Sequence, residues 1–213
     1  MTSQIFVLAG VNGAGKSSVV GQWFRTRGDN YFNPDEAAAQ LQKESGYSLD
    51  EANARAWTAG KDLLEEAIAN RTDFTFETTL GGNTIPRLLA QAADEGIQVR
   101  IWFVGLSSVA KHLARVRARV ASGGHDIPEE KIRERWEGSR RNIISLMPKL
   151  AELQVFDNSA ERDPETGENP PPRLLLHWKN GTVVGPSLAE LEQTPDWAKP
   201  IIAAALKLAR LRN

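Results

Sequence analysis

An α/β fold built on a mainly parallel sheet is predicted by three observations. Strand-like and helix-like segments alternate along the first 160 or so residues, a short apolar run ends in a glycine-rich turn at residue 10, and a basic helix pair follows the third long strand. At 213 residues, with 41% hydrophobic and 25% charged residues, the chain has the length and apolar content for one domain with one sizeable core, spanning 1–213.

The first strand is Ile5 to Ala9, β-branched and continuously apolar, as a strand buried on both faces requires. A helix is expected from Ser17 to Thr26. A second runs from Pro34 to Glu44, its proline in a first-turn position. Ser48 and Glu51 form an S-x-x-E pair that satisfies two orphan amides, so a third helix runs to about Asn70. Asp73 to Glu77 is the next strand, Ile85 to Glu95 a helix, and Val99 to Gly105 the third long strand. A basic helix from Ser107 to Ser122 is broken at Gly123-Gly124 and resumed from Pro128 to Leu153. The portion 107–141 is read as a helical lid. Leu153 to Phe156 forms a short fourth strand. Arg162 to Pro172 reads as loop, and Asn180-Gly181 marks a β-hairpin between Leu174–Trp178 and Thr182–Val184. A closing helix spans Trp197 to Leu211, so hairpin and helix together occupy about 173–213.

With 26 Lys and Arg against 27 Asp and Glu, the net charge of −1 gives no global attraction to nucleic acid or to an anionic membrane, so nucleic acid is not an expected partner. Cysteine is absent, which excludes disulfides, thiolate metal sites and a cysteine nucleophile. The start has no basic stretch, and the apolar run after it is too short for a signal peptide or a membrane span. A cytoplasmic protein without a membrane partner is therefore expected.

Gly10-Val11-Asn12-Gly13-Ala14-Gly15-Lys16-Ser17 matches G-x-x-x-x-G-K-[ST] without a gap, directly after a strand and before a helix. The loop amides, with Ser18 just beyond them, would close around the α- and β-phosphates of a nucleotide. Lys16 would reach the β- and γ-phosphates, and Ser17 would hold Mg2+. Such a loop serves kinases, GTPases and motors alike. No apolar run ends in Asp-Glu as in ATP-driven motors, and a P-loop kinase-like parallel sheet is the fold that results, with ATP and Mg2+ as cofactors.

Asp35, in Asn33-Pro34-Asp35, is a candidate general base for an acceptor hydroxyl, weighed against a simple helix-dipole role. Glu77 ends a strand at the sheet's carboxyl edge, where ligands collect, as a candidate for Mg2+ or substrate. Nine of the 26 basic residues fall between 107 and 141. Arg115 and Arg119, one turn apart, present guanidinium groups on one helix face that would stabilise charge on a transferring phosphoryl. His125 is a phosphate-contact candidate or a turn residue; His112 and His177 read as isolated. The six tryptophans read as core or surface anchors.

In order along the chain, the P-loop, Asn33-Pro34-Asp35, Phe76-Glu77-Thr78-Thr79-Leu80, Arg115 through Arg119 to Gly123-Gly124-His125-Asp126-Ile127-Pro128-Glu129-Glu130, and Asp157-Asn158-Ser159 resemble the zeta toxin family of kinases. The resemblance covers residues 4 to about 160. It implies transfer of the ATP γ-phosphate to a hydroxyl of a UDP-activated amino sugar, typically UDP-N-acetylglucosamine. Asp35 would be the base, Lys16 and Ser17 would hold phosphate and Mg2+, and Glu77, Thr78 and Thr79 would face the acceptor. Arg115 and Arg119 would act on the phosphoryl, and a separate antitoxin protein would be a partner. The chain departs from the pattern in its shortness and in His125, near where a second phosphate-binding arginine is implied. Two other readings stand beside this one: a kinase for a different hydroxyl (an antibiotic, a nucleoside or a nucleic-acid end), and a nucleotide-binding interaction module without catalysis.

Overall fold

The computed structural model describes residues 2–16, 31–162, 165–167 and 170–212. Within them β1 (Gln4–Ala9), β2 (Tyr31–Phe32), β3 (Phe74–Thr78), β4 (Gln98–Gly105) and β5 (Glu152–Asp157) run parallel. They are followed by antiparallel β6 (Arg173–Lys179) and β7 (Thr182–Gly185). The sheet order is β2-β3-β1-β4-β5-β6-β7. The helices are α1 (Pro34–Ser45), α2 (Leu49–Asn70), α3 (Thr84–Asp94), α4 (Val109–Ala121), α5 (Glu129–Leu146), α6 (Leu188–Glu192) and α7 (Lys199–Arg212). The predicted helix at Ser17–Thr26, and with it Ser17, Ser18 and Trp23, lies outside the described residues.

Local chemistry explains where the elements begin and end. The Asn33 side chain accepts the amides of Asp35 and Glu36 to start α1, and Gly46 closes the helix in the left-handed region. Ser48 and Glu51 form the predicted capping box of α2. In the hairpin, Asn180 and Gly181 both take positive φ, 49° and 90°, which a two-residue turn matched to strand twist requires.

The main core lies on one face of the sheet. Ile5 and Val7 of β1, Phe76 of β3, Val99 and Ile101 of β4 and Leu153 and Val155 of β5 pack under Leu64 of α2, Leu88 and Leu89 of α3, Ile143 of α5 and Ile201 of α7. Leu8 and Val104 turn the other way and pack with Ala14. This is the alternation expected of central strands with both faces covered.

One sequence expectation changes, and the structure adds features that were not foreseen. The helix predicted to run to Leu153 stops at Leu146, followed by one 3-10 turn at Met147–Lys149, and Leu153 lies in β5. Pro148 lacks an amide hydrogen and disfavours helical geometry in the residue before it, so the helix cannot pass. The hairpin is joined to the main sheet, with Leu153 paired to Trp178 and Trp178 only 1% exposed. The short helix α6 was not predicted, although Ser187 and Glu190 carry the capping-box spacing that starts it. In the helix pair of 107–141, Val116 of α4 and Ile132 of α5 pack on Val11 of the glycine-rich loop.

Candidate active site

The chain leaves β1 for the sheet's rim at β2, returns through β3 beside β1, and then crosses to β4 on β1's other side. The glycine-rich loop thus sits at a topological switch point, outside the carboxyl ends of the strands. Gly10 donates to the Thr78 carbonyl at 3.1 Å. At Gly10 and Gly13, φ is 152° and 81°, and a Cβ would come within 2.3 Å of the Val104 carbonyl oxygen and 2.9 Å of that of His112. Only glycine lets the loop lie this close to its supports. Lys16 folds back and donates from Nζ to the Gly10 carbonyl at 2.8 Å.

Three side chains from distant elements hold the loop. His112 of α4 donates from Nδ1 to the Asn12 carbonyl at 2.8 Å. Arg135 of α5 donates to Asn12 Oδ1 at 2.7 Å, and Asn158, just past β5, donates to the Ala14 carbonyl at 2.8 Å. Burial pulls the Arg135 guanidinium pKa below its ordinary value, opposed by the charges of Asp35 and Glu134. Burial, reinforced by the charges of Lys16 and Arg115, pushes His112 down from 6.5 to about 4 despite the Asn12 hydrogen bond. It is therefore neutral at pH 7, and its buried Nε2 has no hydrogen-bond partner among the described residues.

This has a measurable consequence. The unfolded chain takes up the imidazole proton near pH 6.5, whereas the folded protein resists it to about 4. More protons are bound unfolded, so stability falls as pH drops through that window. Urea denaturation should show wild type losing about 2 to 3 kcal/mol more than His112→Asn between pH 7 and pH 4.5. Equal losses in the two proteins would refute the buried neutral imidazole.

Two clefts flank the loop. One, of about 480 Å³, lies against Gly13 and Gly15 between α4 and the strip 158–162. Arg115 donates there to the carbonyls of Asn158 and Ala160, at 2.8 and 3.2 Å, and Lys111 pairs with Glu161 at 2.7 Å. The other, of about 660 Å³, begins at Asn12 and is walled by α1, α2, the loop after β3 and the segment 125–135. Asp35, Glu77, Thr78, Thr79 and His125 all line it.

Within this second cleft Glu77, 5% exposed, accepts from the Tyr31 hydroxyl and from Asn33 Nδ2 at 3.5 Å. Thr78 Oγ1 accepts the Leu80 amide at 3.1 Å, and Asn142 clamps the loop by donating to the carbonyls of Leu80 and Gly82. The Asp35 carboxylate is half exposed and lies 3.9 Å from Arg119 Nη1; Arg119 also donates to the His125 carbonyl at 3.2 Å. Arg115 and Arg119, predicted to act together, therefore face different partners here: Arg115 the strip 158–160, Arg119 the Asp35 carboxylate and the His125 carbonyl. Among the described residues no group of three or more His, Cys, Asp or Glu side chains forms a metal cage. A nucleotide-borne magnesium ion needs only one or two protein oxygens, which Glu77 suits as a carboxylate lining the cleft.

Two residues escaped the sequence reading. Arg135 was one of nine clustered basic residues with nothing to single it out. His112 was read as isolated; its one signal is that it shares a buried helix face with Val116, four residues on.

A mainly parallel sheet with a phosphate-binding loop at its switch point and helices on its faces defines a P-loop kinase-like α/β protein. The chain belongs to the AAA domain family, whose model matches residues 5–142. It is 30% identical over 144 residues to a Haemophilus influenzae protein described as uncharacterized, a match spanning 64% of this chain and 94% of that one. Its fold is similar to that in the crystal structure of AvrRxo1-ORF1:-ORF2 with ATP, at a TM-score of 0.65 and 18% identity. That match covers 91% of this chain but only 63% of the other. It is also similar to a structure of the PezAT toxin–antitoxin system of Streptococcus pneumoniae, at a TM-score of 0.57 and 14% identity over 97% of this chain and 85% of that one. Likeness at these identities is likeness of fold. No helix among the described residues is long and apolar enough to cross a membrane.

Proposed function

We propose that the protein is an ATP-dependent kinase that transfers the γ-phosphoryl group to a hydroxyl of a small-molecule acceptor. In line with the resemblance to zeta toxins, the candidate acceptor is a UDP-activated amino sugar such as UDP-N-acetylglucosamine. The observation that carries this reading is the convergence of Asp35, Glu77, Thr78, Thr79 and His125 on one cleft that opens at Asn12 of the phosphate-binding loop.

In this reading ATP lies along the loop with its phosphates on the amides and Lys16, and the acceptor fills the second cleft. Asp35 takes the hydroxyl proton as the oxygen attacks phosphorus. Arg135 and Arg119 stand on the acceptor side, where charge develops on the transferring group. Ser17 and Glu77 would hold magnesium, which would supply positive charge against the phosphates. An antitoxin-like protein partner fits this reading, since the PezAT structure is of a toxin–antitoxin system.

A second reading has its own observation. The cleft carries five carboxylates, Asp35, Asp50, Glu77, Asp126 and Glu134, against the three cations Lys61, Lys131 and Arg135. That balance favours a neutral or cationic acceptor, such as a nucleoside or an amino-sugar antibiotic, over a polyanion. Incubating the purified protein with ATP, magnesium and UDP-N-acetylglucosamine should yield a product heavier by one phosphoryl group. No such product, with phosphorylation of another compound in a metabolite pool, would replace the acceptor and keep the kinase.

A further inference from the structure

The described tryptophans have distinct surroundings, and one stands apart. Trp102 sits between Phe6 and Phe156 at ring distances of 5.3 and 5.9 Å, Trp136 lies under the Arg140 guanidinium at 3.5 Å, and Trp178 and Trp197 are buried in the core. Trp57 is 49% exposed and lines the second cleft. Burying so large an apolar surface is favourable, and on a cleft wall it is bound matter that can bury it.

The wall that carries it is one face of α2. Asp50, Asn53, Ala56, Trp57, Gly60 and Lys61 line the cleft at the three- and four-residue spacings of a single helix face. Ala56 and Gly60 are buried beside it, Gly60 so close under the Phe32 ring that a Cβ would come within 2.6 Å of it. Lys61 is committed to Asp62 and Glu65 at 2.7 and 2.9 Å. Asn53, one turn before Trp57, has no hydrogen-bond partner among the described residues, so its carboxamide offers both a donor and an acceptor to a ligand edge.

An exposed ring with an uncommitted amide one turn away is the pairing that holds a nucleobase, by its face and by its edge. We propose that Trp57 is the stacking platform for a nucleobase of the acceptor, with Asn53 reading the base edge, so that the protein selects nucleoside-containing acceptors over plain sugars. This rests on the reading of the second cleft as the acceptor site. It holds equally for a UDP-sugar or a nucleoside.

The test is acceptor kinetics of wild type, Trp57→Ala and Trp57→Phe, with melting curves to verify folding; the exposed indole makes these variants mild. With UDP-N-acetylglucosamine, Trp57→Ala should raise the acceptor KM about tenfold or more and leave the KM for ATP unchanged, while Trp57→Phe stays within about threefold of wild type. N-acetylglucosamine, which has no base, should be used equally poorly by wild type and Trp57→Ala. An unchanged KM for UDP-N-acetylglucosamine in Trp57→Ala would overturn the stacking role and leave the kinase reading standing. If wild type does not phosphorylate UDP-N-acetylglucosamine, that acceptor falls, and equilibrium titration with uridine and adenosine decides the stacking role instead. Binding that weakens about tenfold in Trp57→Ala sustains it; equal binding to both proteins, or binding to neither, overturns it.

Discussion

Asp35→Asn should slow phosphoryl transfer by about 10²- to 10⁴-fold while leaving ATP affinity within a few-fold of wild type. The substitution keeps the size of the side chain and removes both its capacity to take a proton and its negative charge, which lies 3.9 Å from Arg119. Asp35 also occupies the first turn of α1, where a carboxylate favours the helix dipole by about 0.3–1 kcal/mol. The two roles separate cleanly. A residue that serves only the helix would lose a little stability and no rate; a base would lose the rate at nearly constant stability. Stopped-flow or single-turnover measurement of transfer beside a urea titration reads both, and a rate within threefold of wild type would remove Asp35 from the chemistry.

Lys16→Ala should be comparably severe, about 10²- to 10³-fold in transfer, accompanied by weaker ATP binding. The ammonium lies across the loop on the Gly10 carbonyl, within the curve that would receive phosphate. Removing it deletes a charge that acts on the nucleotide in both ground and transition states, so kcat and the KM for ATP should both move. That pattern differs from the one expected for Asp35→Asn, where kcat alone moves. An alanine variant with near-normal turnover would mean that the nucleotide does not bind at this loop.

The parts legible in the sequence were those written in local chemistry. The glycine-rich turn after β1, the first-turn Pro34, the Ser48–Glu51 capping box and the Asn180-Gly181 turn each need only a few adjacent residues to be recognised, and among the described residues the chain turns or starts a helix where they stand. Asp35 and Glu77 were legible as candidates because strand ends and helix starts at the sheet's carboxyl edge can be located in the same way. What holds the loop was not. Arg135 meets Asn12 across 123 residues of sequence and His112 meets it across 100, and no local pattern encodes a contact of that range. The same reason hid the pairing of β5 with β6: the hairpin announced its own turn, but not which strand it would join. Trp57 was grouped with the other tryptophans because a helical position alone does not say which wall of a cleft it will form.

The sheet's two rims carry a consequence for behaviour in solution. At one end stands β2, only two residues long; at the other, the β6–β7 hairpin covers what would otherwise be the open side of β5 and leaves β7, four residues long, outermost. Among the described residues, a neighbouring molecule seeking to continue the ladder finds few unpaired backbone groups at either rim to grip. At high concentration the folded chain should resist edge-to-edge polymerisation, a property that the six-residue strand β5 would not have conferred if left uncovered.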